Sequence, residues 1–583
     1  THNMMLRNVK KIIDINNYLL QNKRFLTILK DGRGMEFSFH SNSNDVNHEE
    51  KIDRMNDAVE TFAARSNLFY GDSREKFIDV LRSNDNDHTT FDRNPIALCG
   101  LGLSTYFQTK YHAHDNNSKL LQNFGGLYKC LDDTSVILKE EESTLAEIEM
   151  LHINAFHYTI LGNYTMATKL YEYILRHINA TDLISIRTLY EIYSSTGNIY
   201  NMKTFITRVL PYWDHNTPGY VSVMAMHADG LAESGNYIDA EEASMRALSM
   251  DSSKSEMAIG VVCKCYLGHC KPREGLRFLR EIEDQWGDAD SIPRSISWWR
   301  ALFYLEQGND ELALHQIDVN FGTTEGREGR PIVINDFVSS AFIFWLLYMR
   351  KVDITERLLS FSENYIDLLK VSSGHNTELI NSEKNVKSRI QLSLAMVSVM
   401  SGREQWFQIE QENEKNSKKK QYIEDFFNSE NRLFNNANDT NSKYESLISL
   451  SNYEDNVTDS TESISNIMSK GLKEYQGGNL NGFLSNVLPA RHRFQQGGKD
   501  LFLSMQDEDM LQQTILTIAE ENTDAPELAR TLSAQRSFEK PHSPYVWMQY
   551  SRILTTVGEE DASRAAFAYA QNMGWGQKGF GAH

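Results

Sequence analysis

The stretch GLAESGNYIDAEEASMRALSMD (residues 230–251) contains the pattern that decides the fold of this chain. On both sides of Gly235 and Asn236, apolar residues recur three and four positions apart, which is the spacing of one face of an α-helix. A glycine or asparagine just past the end of a helix favours a left-handed C-terminal cap. The stretch therefore predicts two helices joined by a tight turn.

The same pattern of helix, turn and helix returns along the middle of the chain. A glycine followed by asparagine or histidine closes one apolar helix and opens the next at five points, which are 35, 38, 33 and 40 residues apart: Gly162, Gly197, Gly235, Gly268 and Gly308. A period near 34 residues is that of the tetratricopeptide repeat (TPR), a helical hairpin. Such units bury their apolar faces only against their neighbours. We therefore predict an all-α fold in which TPR-like hairpins stack into an α-solenoid.

Small residues recur in register with these turns. In three units, one alanine lies seven residues before the turn glycine, a tyrosine or leucine lies four before it, and a second alanine lies five after it: Ala155, Tyr158 and Ala167; Ala228, Leu231 and Ala240; Ala301, Tyr304 and Ala313. The distance between two packed helices depends on the side chains at their contact. We expect the alanines to lie at the points where helices cross most closely.

Composition divides the rest of the chain around this array. We predict an N-terminal extension, N-terminal helical hairpins, the TPR-like solenoid, a polar Asn/Ser/Lys-rich insertion, C-terminal helical hairpins and a Gly-rich tail, with bounds 1–49, 50–140, 141–410, 411–462, 463–573 and 574–583. The insertion carries aromatic residues such as Phe426 and Phe427 among polar ones. This pattern is typical of segments that fold onto a partner, and a plain loop is the alternative.

Charge and composition restrict the partners and the compartment. The chain has 59 Lys and Arg against 79 Asp and Glu, a net charge of −20, which argues against a nucleic acid or an anionic membrane surface as partner. The longest apolar stretch, residues 341–349, is much shorter than the roughly 20 residues of a membrane-spanning helix. Five scattered cysteines predict a reducing, intracellular setting. The cytoplasm is the default, and the start at Thr1 with basic residues in the first 30 makes a mitochondrion or another organelle the alternative.

No motif of the sequence predicts catalysis, a cofactor or a metal. There is no phosphate-binding glycine loop and no nucleophile elbow. The cluster of Cys263, Cys265, His269 and Cys270 is unsuited to tetrahedral zinc, because helix residues two positions apart point about 200° apart. We therefore favour a non-enzymatic function and expect no cofactor.

Six segments resemble, in this order, segments of the tetratricopeptide repeat protein 38 family: RVLPYW (208–213), GLAESGNYIDAEEASMRALSMD (230–251), GLRFLREIEDQW (275–286), SWWRALFYLEQGNDELALHQID (297–318), LPARHRFQQGG (488–498) and KPHSP (540–544). The resemblance covers about residues 50–575 and implies an all-helical solenoid without a settled biochemical activity. Members of that family usually carry several histidines and an acid in two of these helices. The matching positions here hold none of these histidines: Gly260, Lys264, Leu267, Ser295 and Trp299. The resemblance implies that the chain keeps the frame and lacks that polar centre.

Two aromatic and basic groups are candidates for binding a partner or a ligand. Adjacent side chains on a helix point about 100° apart. We therefore expect Trp298 to pack in the core, whereas for Trp299 the sequence favours neither the core nor the inner groove. Tryptophan and arginine are enriched at interaction hot spots, which makes Trp299 and Arg300 candidates. Arg491 and Arg493 form the second group.

The C-terminal group matches the resembled family at Arg491, Arg493 and Asp509, although a neighbouring position that is basic in the family is Glu508 here. A structural salt bridge to Asp509 or a nearby glutamate is the alternative to binding a carboxylate or phosphate. The sequence thus favours a non-catalytic scaffold or accessory subunit whose groove binds other protein chains. An enzyme or small-molecule-binding protein is the alternative, with an interior pocket where these residues face Lys264 or Trp299.

Overall fold

The computed structural model describes residues 25–30, 36–41, 48–64, 70–81, 94–111, 117–140, 145–250, 255–286, 294–320, 334–359, 361, 384–402, 464–493 and 505–575. The chain is an α-solenoid of helical hairpins, as the repeat spacing predicts. Within these described ranges, four helices precede the regular array: α1 (His48–Ala64), α2 (Tyr70–Leu81), α3 (Pro95–Tyr111) and α4 (Asn117–Glu140). The insertion predicted at 411–462, with Phe426 and Phe427, lies outside the described residues, as does the tail beyond residue 575.

Five hairpins form the central array. Their first and second helices are α5 (Glu147–Ile160) with α6 (Tyr164–Tyr173), α7 (Leu183–Thr196) with α8 (Ile199–Val209), α9 (Tyr220–Glu233) with α10 (Tyr237–Met250), α11 (Glu256–Gly268) with α12 (Pro272–Trp286), and α13 (Arg294–Glu306) with α14 (Asp310–Asn320). A π-helical turn (Ile174–Ile178) extends α6, and a 3-10 turn (Leu210–Tyr212) extends α8. Each helix packs against the next along the chain, so the array grows by one hairpin at a time.

The C-terminal half continues the same construction. Its helices are α15 (Ile334–Met349), α16 (Lys384–Ser401), α17 (Ile464–Gln476), α18 (Leu480–Val487), α19 (Met505–Glu521), α20 (Pro526–Glu539), α21 (Pro544–Val557) and α22 (Glu560–Asn572), with a 3-10 helix at Leu488–Arg493. The most apolar stretch lies in α15, where Trp345 is fully buried and donates a hydrogen bond of 2.9 Å to Thr514 of α19. Across the described helices, none combines the length and the apolar character needed to cross a membrane.

A β-hairpin precedes the helices, and the sequence analysis did not predict it. Strand β1 (Phe25–Lys30) pairs antiparallel with β2 (Glu36–Ser41), and Phe25 lies opposite Ser41. Two runs rich in β-branched and aromatic residues flank an Asp-Gly-Arg-Gly sequence, a recognised hairpin signal that the helical periodicity elsewhere overshadowed. The hairpin lies within the predicted N-terminal extension, before the first helix.

The recurrent Gly-Asn pair performs two tasks at the turn between helices. Gly162, Gly197, Gly235 and Gly308 all adopt left-handed backbone angles, with φ between 71° and 79°, as predicted. The following asparagine then caps the next helix, because the Asn163 side chain accepts a hydrogen bond from the Met166 amide. Asn198 and Asn479 cap α8 and α18 in the same way.

Gly268 departs from this rule. It is the last residue of α11, and the left-handed residue of that turn is Cys270, with φ of 55°. A Cβ atom on Gly268 would lie 2.4 Å from the ring of Tyr237. The glycine is therefore required by the close packing of Tyr237 and not by the turn, so the sequence prediction of a turn glycine here is wrong.

The six alanines of the three repeated triples are fully buried, as predicted. Each pair belongs to the two helices of one hairpin, for example Ala228 in α9 and Ala240 in α10. The absence of side-chain bulk at these positions lets the two helices of each hairpin approach closely. The alanine pairs therefore fix the internal geometry of each repeat.

The C-terminal helices fold back onto the middle of the solenoid. The Ser543 hydroxyl, which caps the first turn of α21, donates a hydrogen bond to Glu306 at the end of α13, 237 residues earlier. Beside it, the Arg350 guanidinium lies 3.9 Å from the centre of the Tyr545 ring. Trp575 packs on the turn at Gly308, where a Cβ atom would lie 2.8 Å from the indole. These contacts close the curve of the solenoid.

We expect Ala240→Leu to destabilise the fold by about 1–3 kcal/mol, because extra methylene groups have no space at a fully buried helix crossing. The matched control is Ala565→Leu, at an exposed position of α22. The urea midpoint of unfolding, followed by circular dichroism, measures both. A leucine at 240 that leaves the midpoint at the value of the control would contradict the role of the alanines.

A charged cleft as the candidate functional site

The tryptophan pair of α13 lies in the packing between α11 and α13. Trp299 keeps only 7% of its surface exposed, and its indole Nε1 would lie 3.5 Å from a Cβ placed on Gly260. Trp298 is half-buried and meets Trp299 edge to face, with ring centres 4.6 Å apart. Arg300 donates to Glu283 of α12, Nη2 to Oε2 at 2.5 Å. Trp299 is therefore a core residue and Arg300 is engaged in an ion pair, so neither reaches an inner groove in this structure.

Lys264 lies inside the solenoid, where it joins two acidic residues of the neighbouring hairpin. Its ammonium donates to Asp229 Oδ1 at 2.6 Å and to Glu233. Asp229 also accepts from the Tyr190 hydroxyl at 2.7 Å. Burial alone would lower the pKa of Lys264, but the charges of Asp229 and Glu233 outweigh it and raise the pKa. The lysine therefore stays charged inside the protein.

Two further ion pairs lie on other helices of the solenoid. In α7, Arg187 is 1% exposed and pairs with Glu191, and its guanidinium lies 5.3 Å from the centre of the Tyr190 ring. On the C-terminal side, Arg389 of α16 pairs with Asp507 of α19 at 3.1 Å. The interior of the solenoid thus contains charged residues that are mutually paired.

Arg491 of the C-terminal basic group bonds to a glutamine, and Asp509 pairs with other cations. Asp509 pairs with Arg536 and with Lys540, whose ammonium lies 2.6 Å from Oδ1, rather than with the Arg491 group. Arg491 donates instead to the Gln535 side chain of α20. Arg493 ends the 3-10 helix, and its side chain lies outside the described residues. The structure therefore separates Asp509 from Arg491, because α20 supplies the nearer cations.

A cleft of about 350 Å³ opens where the central and C-terminal hairpins meet, and we call it the central cleft. Lys264 borders it from α11 and Asp509 from α19, so two of the predicted candidates do face one space. Four basic and four acidic side chains line it: Lys264, Arg350, Arg536 and Lys540, with Glu306, Glu508, Asp509 and Glu539. Its size falls within the range of about 300–1,000 Å³ that is usual for ligand sites.

The acidic side chains of the central cleft differ in their protonation. Burial would raise the pKa of Asp509, but Arg536 and Lys540 outweigh it and hold the pKa well below its usual range. Burial raises the pKa of Glu306, and the nearby Lys540 offsets this only in part. Burial also raises the pKa of Glu508, and the charge of Asp509 adds to the effect. Of these three carboxyl groups, Asp509 therefore has its pKa shifted down, and Glu306 and Glu508 have theirs shifted up.

All five cysteines and His157 are buried, and burial keeps the groups discussed here in their uncharged forms. Burial raises the pKa of Cys130, Cys265 and Cys270 to about 12, which keeps these thiols protonated. Burial lowers the pKa of His157 to about 4, and this neutral ring lies 2.8 Å from the Thr134 hydroxyl. In the described ranges no three His, Cys, Asp or Glu side chains converge on a metal position.

Several residues of the central cleft carry no sequence signal of function. Arg536 stands in α20, Arg350 directly follows the apolar helix α15, and Glu306 directly precedes a turn glutamine and glycine. Lys540 and Ser543 lie in the KPHSP segment, where a serine before proline signals the start of a helix. That signal predicts the helix cap, but the fold alone brings its hydroxyl to Glu306.

A scan against known protein families finds no match to this chain. Among solved structures, the chain is similar to a monomeric mutant of IFIT1 with Gppp-AAAA. The two share 11% identity, and the alignment covers 91% of this chain and 96% of that chain, with a TM-score of 0.33. At that level the similarity carries no argument about the function of this chain.

We expect Lys264→Met to destabilise the protein by about 3–5 kcal/mol, because it leaves Asp229 and Glu233 as uncompensated buried charges. Adding Asp229→Asn and Glu233→Gln removes those charges and restores much of the loss. Lys271→Met, at an exposed position, is the control. The urea midpoints of unfolding of the single variant, the triple variant and the control test the pairing. Equal midpoints for the single and the triple variant would contradict the pairing.

Proposed function

We propose that this chain is a non-catalytic TPR-like scaffold, or an accessory subunit of a larger assembly, that binds other protein chains. The distribution of exposed apolar side chains supports the proposal. Among the described residues, the large apolar side chains with the greatest exposure all lie on the second helix of a hairpin or in the turn that extends it: Ile178, Tyr200, Tyr212, Ile238, Met245, Met250, Leu312, Phe538 and Tyr569. Contiguous apolar surface marks protein interaction sites, and we infer such a surface here because these residues share one class of helix.

The first helix of the second hairpin, α7, is occupied within the molecule. Its residues 183–193 are buried throughout, and α1 and α16 contact this helix. At α7 the concave groove that a solenoid usually offers is therefore filled. The proposal accordingly assigns partner binding to the outer face that the second helices form, and not to the inner groove that the sequence suggested.

The resemblance to the tetratricopeptide repeat protein 38 family supports the same proposal, because it implies a solenoid frame without a settled activity. We also propose that the chain is a member of that family and part of a larger assembly. We further propose that it is intracellular and that it does not bind nucleic acid. The net charge of −20 supports the last of these.

The native mass of the full chain, purified gently from its own cells, tests this function. We expect a mass above the 67.0 kDa of one chain. Replacing two exposed apolar residues, Tyr200→Ser with Ile238→Ser, should lower that mass because the partner loses its anchors. The control pair Glu242→Ser with Arg246→Ser removes exposed charged side chains of α10 and should leave the mass unchanged. A wild-type mass of 67.0 kDa, without companions, would contradict the proposal.

The central cleft favours a second candidate function, the binding of a small molecule in the interior. Lys264 and Asp509 both line the cleft, which is part of the arrangement that this alternative expects, whereas Arg491 and Trp299 are not among its lining residues. The described side chains that line it are charged, amide, phenolic and apolar ones, and none of them is a cysteine, serine, threonine or histidine that could act as an activated nucleophile. We therefore propose binding without catalysis for this site.

A further inference from the structure

Arg536 presents an unused hydrogen-bond donor at the central cleft. Its side chain is 7% exposed and is held by Asp509, which accepts from Nη2. The Nε–H group is buried and has no acceptor among the described residues. Because buried polar groups in folded proteins are rarely left without a partner, this donor points to an acceptor supplied from the cleft.

Glu508 lines the same cleft and, among the described side chains, is an acceptor that lacks a donor. It is half-buried, lines the cleft next to Asp509, and forms no hydrogen bond or ion pair within the described part of the chain. Arg536 and Lys540 are near enough to act on its charge, so donor and acceptor belong to one site. Burial and the neighbouring carboxylate raise the pKa of Glu508, and a positive group placed beside it would relieve both effects.

The other residues that line the central cleft indicate which net charge and which apolar part a suitable ligand has. The cleft balances four basic against four acidic side chains, so a ligand without net charge is favoured over an anion or a cation. Half-buried Leu267, Leu302 and Leu346 turn apolar surface toward the same space. An apolar body of modest size would cover these leucines.

We propose that the central cleft binds a small zwitterion with an apolar body, that is, a free apolar α-amino acid or a short apolar peptide. The ligand carboxylate accepts from Arg536 Nε–H beside Lys540, its ammonium group pairs with Glu508, and its apolar part lies along the leucines. This proposal rests on the second candidate function, small-molecule binding in the central cleft, and names its ligand class. It is independent of the scaffold function, whose surface lies on the outer face, so the native-mass experiment and the titration can fail separately.

Calorimetric titration of the full chain tests the site with three matched probes. L-Leucine carries both charged groups, isocaproate lacks the ammonium, and isoamylamine lacks the carboxylate. We expect leucine to bind more tightly than either by roughly tenfold or more, the size expected when a hydrogen bond to a charged group is lost. L-Phenylalanine and leucyl-leucine, in parallel titrations, show whether the cleft takes a larger side chain and whether it takes a free amino acid or a peptide.

Glu508→Gln keeps the shape of the side chain and removes its charge. It should weaken leucine binding by roughly tenfold or more while leaving isocaproate binding unchanged. Glu527→Gln, at an exposed position of α20, is the matched control and should bind leucine as the wild type does. The proposal is overturned if leucine, phenylalanine and leucyl-leucine all fail to bind the folded wild type. It is equally overturned if the singly charged probes bind as tightly as leucine, or if Glu508→Gln binds leucine with unchanged affinity.

Discussion

The close approach of two helices at a pair of buried alanines is the constraint on which the rest of this structure depends. Ala228 and Ala240, and their counterparts in two other hairpins, leave no side-chain bulk at the crossing. The internal geometry of these three hairpins is therefore constrained, and the hairpins stack one on the next along the chain. The accumulated curve brings α21 back to the end of α13, where Ser543 meets Glu306. The central cleft exists because the curve closes there.

The same curvature explains why so many charged side chains lie inside this protein. First helices point inward, and the closing of the solenoid removes their polar residues from bulk water. Arg187 of α7 and Lys264 of α11 are each less than a tenth exposed, and each has an acidic partner at hand. Pairing of this kind is needed because an isolated buried charge is strongly unfavourable. The outer helices, by contrast, keep apolar side chains in contact with solvent.

The repeat, the turns and the alanine crossings could be predicted from the sequence because each depends on residues close together in the chain. The glycine of a Gly-Asn pair and the helix period are local signals. The partners of Asp509 could not be predicted, because Arg536 and Lys540 reach it only through the packing of α20 on α19. Trp299 was ambiguous for the same reason, since the angle between adjacent side chains does not say which side a neighbouring helix covers. The β-hairpin at residues 25–41 did carry a local signal, the Asp-Gly-Arg-Gly sequence, which the helical pattern of the chain obscured.

The closed curve of the solenoid is the central claim, and zero-length carbodiimide cross-linking of the monomer tests it most directly. Lys351, just beyond α15, forms an ion pair with Glu521 at the end of α19, and its side chain is 66% exposed and open to reagent. A closed solenoid predicts a cross-linked peptide that joins Lys351 to Glu521, identified by mass spectrometry. Cross-links confined to neighbours within the same hairpin, with the Lys351–Glu521 product absent, would show an open rod and contradict the account.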